Sequence, residues 1–158
     1  MKKECYGISI NSDYDDKLTN FSRKLLRDYY MQDQEESPQE SFARAAVAFS
    51  YDFQNKKYDL SLAQRIYDYA AKGWFMFSSP ILSNAPVPGG TELGLPISCF
   101  LSYVDDSLEG LIDHSNELRW MSVKGGGVGG HWSKVRSNST ISPGPIPFLK
   151  SADSDMTA

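Results

Sequence analysis

Five of the chain's twelve glycines fall within six residues, at Gly125, Gly126, Gly127, Gly129 and Gly130. Such a run lets backbone come closer to a ligand or a neighbouring strand than side chains permit. Gly125, Gly127 and Gly130 satisfy G-x-G-x-x-G, the spacing that seats a dinucleotide pyrophosphate on a helix N-terminus. That chemistry needs a strand before the first glycine and a helix after the last. Here the order is reversed, with a helical pattern before the loop and strand-like alternation in "HWSKVRS" after it. Ser142–Lys150 offers no carboxylate to hold a ribose, and no Gly-Lys-Ser/Thr follows the glycines. The dinucleotide and P-loop readings therefore both fail. Two remain: a helix cap with a tight turn, for which Gly125 alone would suffice, and close backbone approach to a ligand.

The remaining reactive side chains are few. Cys5 and Cys99 are too sparse for a disulfide scaffold and form no CxxC zinc pair, which points to a reducing, cytoplasmic setting. In that setting Cys99 is either a buried core cysteine or a redox group. Cys5 falls in an N-terminus expected to be mobile. His114 lies mid-helix on no catalytic face and His131 begins a strand. Neither has a partner at metal-ligand spacing, so no metal site is expected.

Positioning these groups falls to elements that the apolar pattern outlines. Thr19–Met31 carries Phe21, Leu25, Leu26, Tyr29 and Tyr30 on one stripe, read as core. Ser37, Pro38 and Glu40 open a second helix with Phe42, Ala45, Ala46 and Phe49 on its inner face. A third follows Asp59 and ends at Gly73. The 24 residues from Gly73 to Pro96 hold four prolines and four glycines, which exclude a long regular element. "ISCFLSYV" reads as a short, largely buried strand. Asp106 then caps a helix running to Gly125, with Leu108, Leu111, Ile112, Ser115, Leu118 and Met121 as its apolar stripe. Strand, helix, glycine turn and strand make a βαβ-like unit, the start of a parallel α/β sheet that one unit cannot close. A hydrophobic content of 41% and a charged content of 23% are globular values. A net charge of −4 argues against a nucleic-acid reader. The apolar runs are too short for a membrane span.

In order and spacing, "SSPILSNA" (Ser78–Ala85), "SCFL" (Ser98–Leu101), "DDSLEGL" (Asp105–Leu111), "KGGGVGG" (Lys124–Gly130) and "VR" (Val135–Arg136) resemble the large, catalytic subunit of ribonucleotide reductase. The resemblance implies an N-terminal helical region, 1–77, followed from 78 to 158 by the first strand-helix-strand unit of an incomplete ten-stranded α/β barrel. It implies radical reduction of ribonucleotides to deoxyribonucleotides, with a cysteine pair that supplies two electrons and becomes a disulfide. Cys99 matches the first of that pair, facing inward from the first barrel strand. Ser79, Ser98, Gly126 and Gly127 match substrate-binding positions. Asp106, Ser107, Leu108 and Arg136 match the allosteric specificity site for a deoxynucleotide or ATP effector, with Asp106 accepting from the deoxyribose hydroxyl and Arg136 pairing with phosphate. An effector lysine of some relatives falls on Val123, so that role is not carried over.

The resemblance also implies partners. The 107–124 helix would form a homodimer interface. A metal-containing small subunit or adenosylcobalamin would generate the radical elsewhere, with no cofactor bound by this chain. No N-terminal ATP-cone is recognisable. The finger-loop cysteine, its neighbouring Asn and Glu, and the second redox cysteine are expected beyond residue 158, so activity would need the remainder of the subunit. A non-catalytic nucleotide-binding or regulatory fragment is the alternative.

Overall fold

The computed structural model describes residues 2–90 and 95–157, which divide into two compact units, Met1–Ile97 and Ser98–Ala158. The first opens on an antiparallel hairpin, β1 (Lys2–Cys5) and β2 (Ile8–Asn11), closed by Tyr6 and Gly7 at φ 52° and 83°. The N-terminus is thus ordered, contrary to the expectation of a mobile segment. Two left-handed residues match the right-handed strand twist, and the alternation of Ile8 and Ile10 puts both into the core. A short 3-10 helix (Ser12–Lys17) follows, then α1 (Asn20–Tyr29), capped by Thr19.

The α1 stripe departs only in part, for Leu26 and Tyr30 do pack on the cluster of Ala45, Leu82 and Ala85. Phe21 and Tyr29 are exposed and nothing in α1 is fully buried. An amphipathic pattern marks a face that can pack, without saying that this unit supplies the partner. By contrast α2 (Pro38–Ala48) is buried on nearly every side, with Pro38 in its first turn and the Ser37 hydroxyl accepting from the Gln39 amide. Glu40 accepts from the Glu36 amide and also from the Ser37 amide, so it closes its half of the expected box, while the Ser37 hydroxyl takes the Gln39 amide. A small hairpin, β3 (Tyr51–Asp52) with β4 (Lys57–Tyr58), occupies the predicted helix break. The following helix, α3 (Leu60–Ala71), starts at the Asp59 cap and is followed by Gly73 at φ 74°.

Ile8, Ile10, Ala43, Ala46, Val47, Ala63, Tyr67 and Ala71 make the main core. Tyr67 is its polar pin: its hydroxyl donates to Gln39 Oε1 at 3.0 Å and accepts from the Asn11 amide at 2.9 Å. Burial pushes this phenol up to about 12. Tyr67→Phe strands both partners and is expected to cost about 1–3 kcal/mol, read as a lower urea midpoint. A second cluster joins Ala45 to Leu82 and Ala85 around α4 (Ser79–Asn84). Those contacts place the proline-rich stretch after Ser78 with the helical unit, so the contacts divide the chain later than its composition changes.

The second unit is a parallel βαβ. β5 (Cys99–Tyr103) pairs with β6 (Gly127–His131) in the register Cys99↔Gly127 through Tyr103↔His131. The crossover is α5 (Leu108–Val123), and α6 (Pro145–Thr157) packs on it. One expectation changes. The second strand is the glycine run itself, not "HWSKVRS", because bare backbone pairs as well as any other and lets β6 lie close to α5. "SPGPIPFLK" leads into a helix, Pro145 and Pro147 sitting in its first turn where no amide is needed.

Candidate functional site

β5 sorts its side chains by face. Ser102 and Val104 are buried and Phe100 half-buried, toward α5; Cys99, Leu101 and Tyr103 are exposed on the other face. The strand is therefore not largely buried, as the sequence suggests, but covered on one side only. Leu101 is 92% exposed because nothing in this unit packs over that face. Cys99 is a free thiol on the open side, directly in register with Gly127. The Gly127 amide donates to the Ser98 carbonyl at 2.7 Å, and no side chain rises beside the sulfur from β6. A Cβ at Gly126, by contrast, would stand 2.6 Å from the Phe100 ring. Gly126 is thus required by packing under the sheet, whereas Gly127 leaves space beside Cys99.

The two cysteines differ chemically. Cys5 is half-buried, and desolvation pushes its thiol up to about 11, which keeps it protonated and unreactive. Cys99 is exposed. In the helical unit, Ser79 opens α4 on the surface, its hydroxyl 2.9 Å from the Tyr30 hydroxyl.

At the entrance to α5 the fold joins residues thirty positions apart. Arg136 Nε donates to Asp106 Oδ2 at 2.7 Å, and the Arg136 amide donates to Oδ1 at 3.1 Å. Both side chains stay accessible, at 51% and 31%. The amide bond first, then the guanidinium, holds the Asp106 carboxyl below its ordinary value. Any stabilisation from this lowered value is present above the ordinary aspartate value and is lost as pH falls from there toward the folded one. Asp106 is not the helix cap; Ser107 is, its hydroxyl accepting from the Gly110 amide at 3.0 Å. One residue of register frees the carboxylate for arginine. Leu108 is exposed beside them, with Ile112, Trp120 and Val123 further along the helix.

One group set aside in the sequence proves central. His114 is 3% exposed, its Nδ1 3.0 Å from Ser102 Oγ, and Ser102 donates to Glu117 Oε2 at 2.7 Å. A Cβ at Gly130 would stand 2.5 Å from the Trp132 indole nitrogen and 2.9 Å from His114 Cε1. The glycine and the histidine are a packed pair, a signal visible only once β6 is laid over α5.

Comparison with known proteins shows the family of both halves of the chain. Residues 16–90 match "Ribonucleotide reductase, all-alpha domain" and residues 97–158 match "Ribonucleotide reductase, barrel domain". A Frog virus 3 (isolate Goorha) protein named as a ribonucleoside-diphosphate reductase large subunit is 59% identical over 97 residues, 61% of this chain and 16% of the relative. The ribonucleoside-diphosphate reductase large subunit of Invertebrate iridescent virus 3 is 40% identical over 151 residues, 96% of this chain and 22% of that protein. Among solved structures, the Actinobacillus ureae class Id ribonucleotide reductase alpha subunit superposes with a TM-score of 0.66 at 31% identity, covering 89% of this chain and 26% of that one. The chain thus spans about a fifth of the length of these relatives. With both halves matched in order and across nearly the whole chain, it belongs to the ribonucleotide reductase large-subunit family.

Proposed function

We propose that this chain supplies the first strand-helix-strand unit of a ribonucleotide reductase barrel, carrying one redox cysteine, part of the substrate floor and the specificity site. The observation that carries the reading is the open face of β5, where Cys99 lies beside the side-chain-free backbone of Gly127. In a closed barrel the face away from the helices is the interior. The exposed Leu101 and Tyr103 on that face then find their cover. The relatives' names carry ribonucleoside diphosphate, which is the substrate class assigned here.

In the reaction Cys99 is one of two thiols that each give up a hydrogen as their sulfurs join; one hydrogen leaves with the ribose hydroxyl as water and the other takes the hydroxyl's place on the carbon. The second cysteine and the radical come from the remainder of the subunit and its radical-generating partner. Gly127 lets the ribose approach the sulfur, and the Ser98 and Ser79 hydroxyls serve as substrate contacts. Asp106 accepts from the effector sugar and Arg136 turns its fork to phosphate, a task for which a planar guanidinium is suited. Ser107 and Leu108 complete that site at the helix start. The exposed Leu108, Ile112, Trp120 and Val123 form the homodimer face.

The test is calorimetric titration of the chain with deoxynucleoside triphosphates. Arg136→Ala is expected to weaken binding roughly 10- to 100-fold, the worth of one charge-assisted contact. Absence of binding by the unmodified chain would remove the effector site from the reading. Binding without turnover, even when the complementary segment of a relative is added, would favour a regulatory fragment.

A further inference from the structure

The His114, Ser102 and Glu117 chain crosses between the two elements on which the proposed function depends. Ser102 lies three residues along β5 from Cys99, on the opposite face of the same strand. His114 and Glu117 lie on α5, whose first turn begins beside Asp106 and Ser107. The hydrogen bonds have a definite direction. Ser102 spends its proton on the Glu117 carboxylate, so its lone pair accepts from His114 Nδ1. That requires Nδ1 to carry a proton, which in neutral imidazole leaves Nε2 bare. The bare edge faces the backbone of Gly130, and the ring meets the Trp132 indole edge-on at 4.9 Å. A glycine at 130 is what allows β6 to close over the imidazole.

We infer that His114 is a positioning residue that locks the effector-side helix α5 to the strand bearing Cys99, and that a second proton, which must sit on Nε2 in the closed contact with Gly130, loosens β6 from the ring while the Nδ1–H bond to Ser102 remains. The inference rests on the functional reading above for its meaning, though not for its geometry. Burial holds the imidazole below its ordinary value of 6.5, with Glu117 opposing weakly. The folded state therefore resists protonation more than the unfolded one. The stability it contributes is full above pH 6.5 and is lost as pH falls from there toward the folded value. Other elements around the ring offer little that titrates in this range. β5 presents the Ser102 hydroxyl, β6 the Gly130 backbone, and the next segment the Trp132 indole. From α6, Asp155 meets the same helix at Ser115 and Arg119, where those groups hold it. Asp106, held low by Arg136, stays ionised at pH 5.

The experiment is hydrogen exchange with mass spectrometry on the intact 158-residue chain, following peptides that cover 98–104 and 126–131. Rates are corrected for the intrinsic pH dependence of amide exchange. Between pH 7.5 and pH 5 the protection of both peptides is expected to fall several-fold. His114→Asn places an amide N–H where Nδ1–H stood, so it should keep the protection of pH 7.5 and lose the pH dependence. His114→Ala should show low protection at both pH values. Equal pH profiles for wild type and His114→Asn would overturn the inference, as would a flat wild-type profile. Nucleotide titration of the same samples keeps the two ideas apart. A chain that shows the exchange profile without binding nucleotide retains the lock and loses the effector reading.

Discussion

Arg44→Ala is expected to destabilise the Met1–Ile97 unit by about 3–5 kcal/mol, enough to unfold a marginally stable domain at ambient temperature. Arg44 and Glu35 are buried essentially completely, with Nε 2.7 Å from Oε1. The guanidinium also donates to the backbone carbonyls of Ala85 at 2.6 Å and Tyr30 at 2.9 Å. One side chain therefore closes α2 onto the end of α1 and onto the segment after α4. Truncation leaves a buried carboxylate without a counter-charge, takes the guanidinium donor from the Tyr30 carbonyl, and leaves the Ala85 carbonyl only the longer bond from Gln32 Nε2 at 3.4 Å. The double change Arg44→Met with Glu35→Leu removes both charges and is expected to recover a large part of the loss, leaving chiefly the weakened bonding of the Tyr30 and Ala85 carbonyls. Urea denaturation followed by far-UV circular dichroism measures both. A cost below about 1 kcal/mol for Arg44→Ala would show that the pair is hydrated and does not act as a clamp.

Cys99→Ser is expected to abolish turnover in the chain reconstituted with its complementary remainder, while leaving folding and nucleotide binding intact. The hydroxyl fits where the thiol stands, because the site is open to solvent and the neighbouring β6 position is Gly127. It cannot, however, give up its hydrogen to form a disulfide. Loss of multiple-turnover deoxynucleotide formation, with unchanged thermal unfolding, is the expected pattern. Turnover retained at more than a few per cent would reassign Cys99 to a packing role. Cys5→Ser serves as the contrast: that thiol is held protonated by burial at about 11 and should leave turnover unchanged.

Much of the local structure was legible because its causes are local. The caps at Ser37 and Asp59, the terminators Gly73 and Gly125, and the parallel strand-helix-strand order all follow from residue chemistry within a few positions. The misreadings share a cause as well. Asp106 and Ser107 are both good caps, and only the distant Arg136 decides that the serine caps while the aspartate pairs. The α1 stripe marks an apolar face, but whether Phe21 and Tyr29 are covered depends on what lies opposite. The hairpin at Lys2–Asn11 carried its own signal, Tyr6-Gly7 before the alternating Ile8 and Ile10, which a charged N-terminus obscured.

The sequence alone determined the main helices, the strand-helix-strand order and the family resemblance, because helix signals and short motifs act over a few residues. Tertiary structure decided which glycine does what. Gly126 and Gly130 make room for Phe100 and for the His114–Trp132 pair under the sheet, while Gly127 leaves space beside Cys99 above it. A loop of nearly identical residues cannot encode that difference by itself. It arises from the alternation of faces along β6, and the faces acquire meaning only when α5 covers one of them.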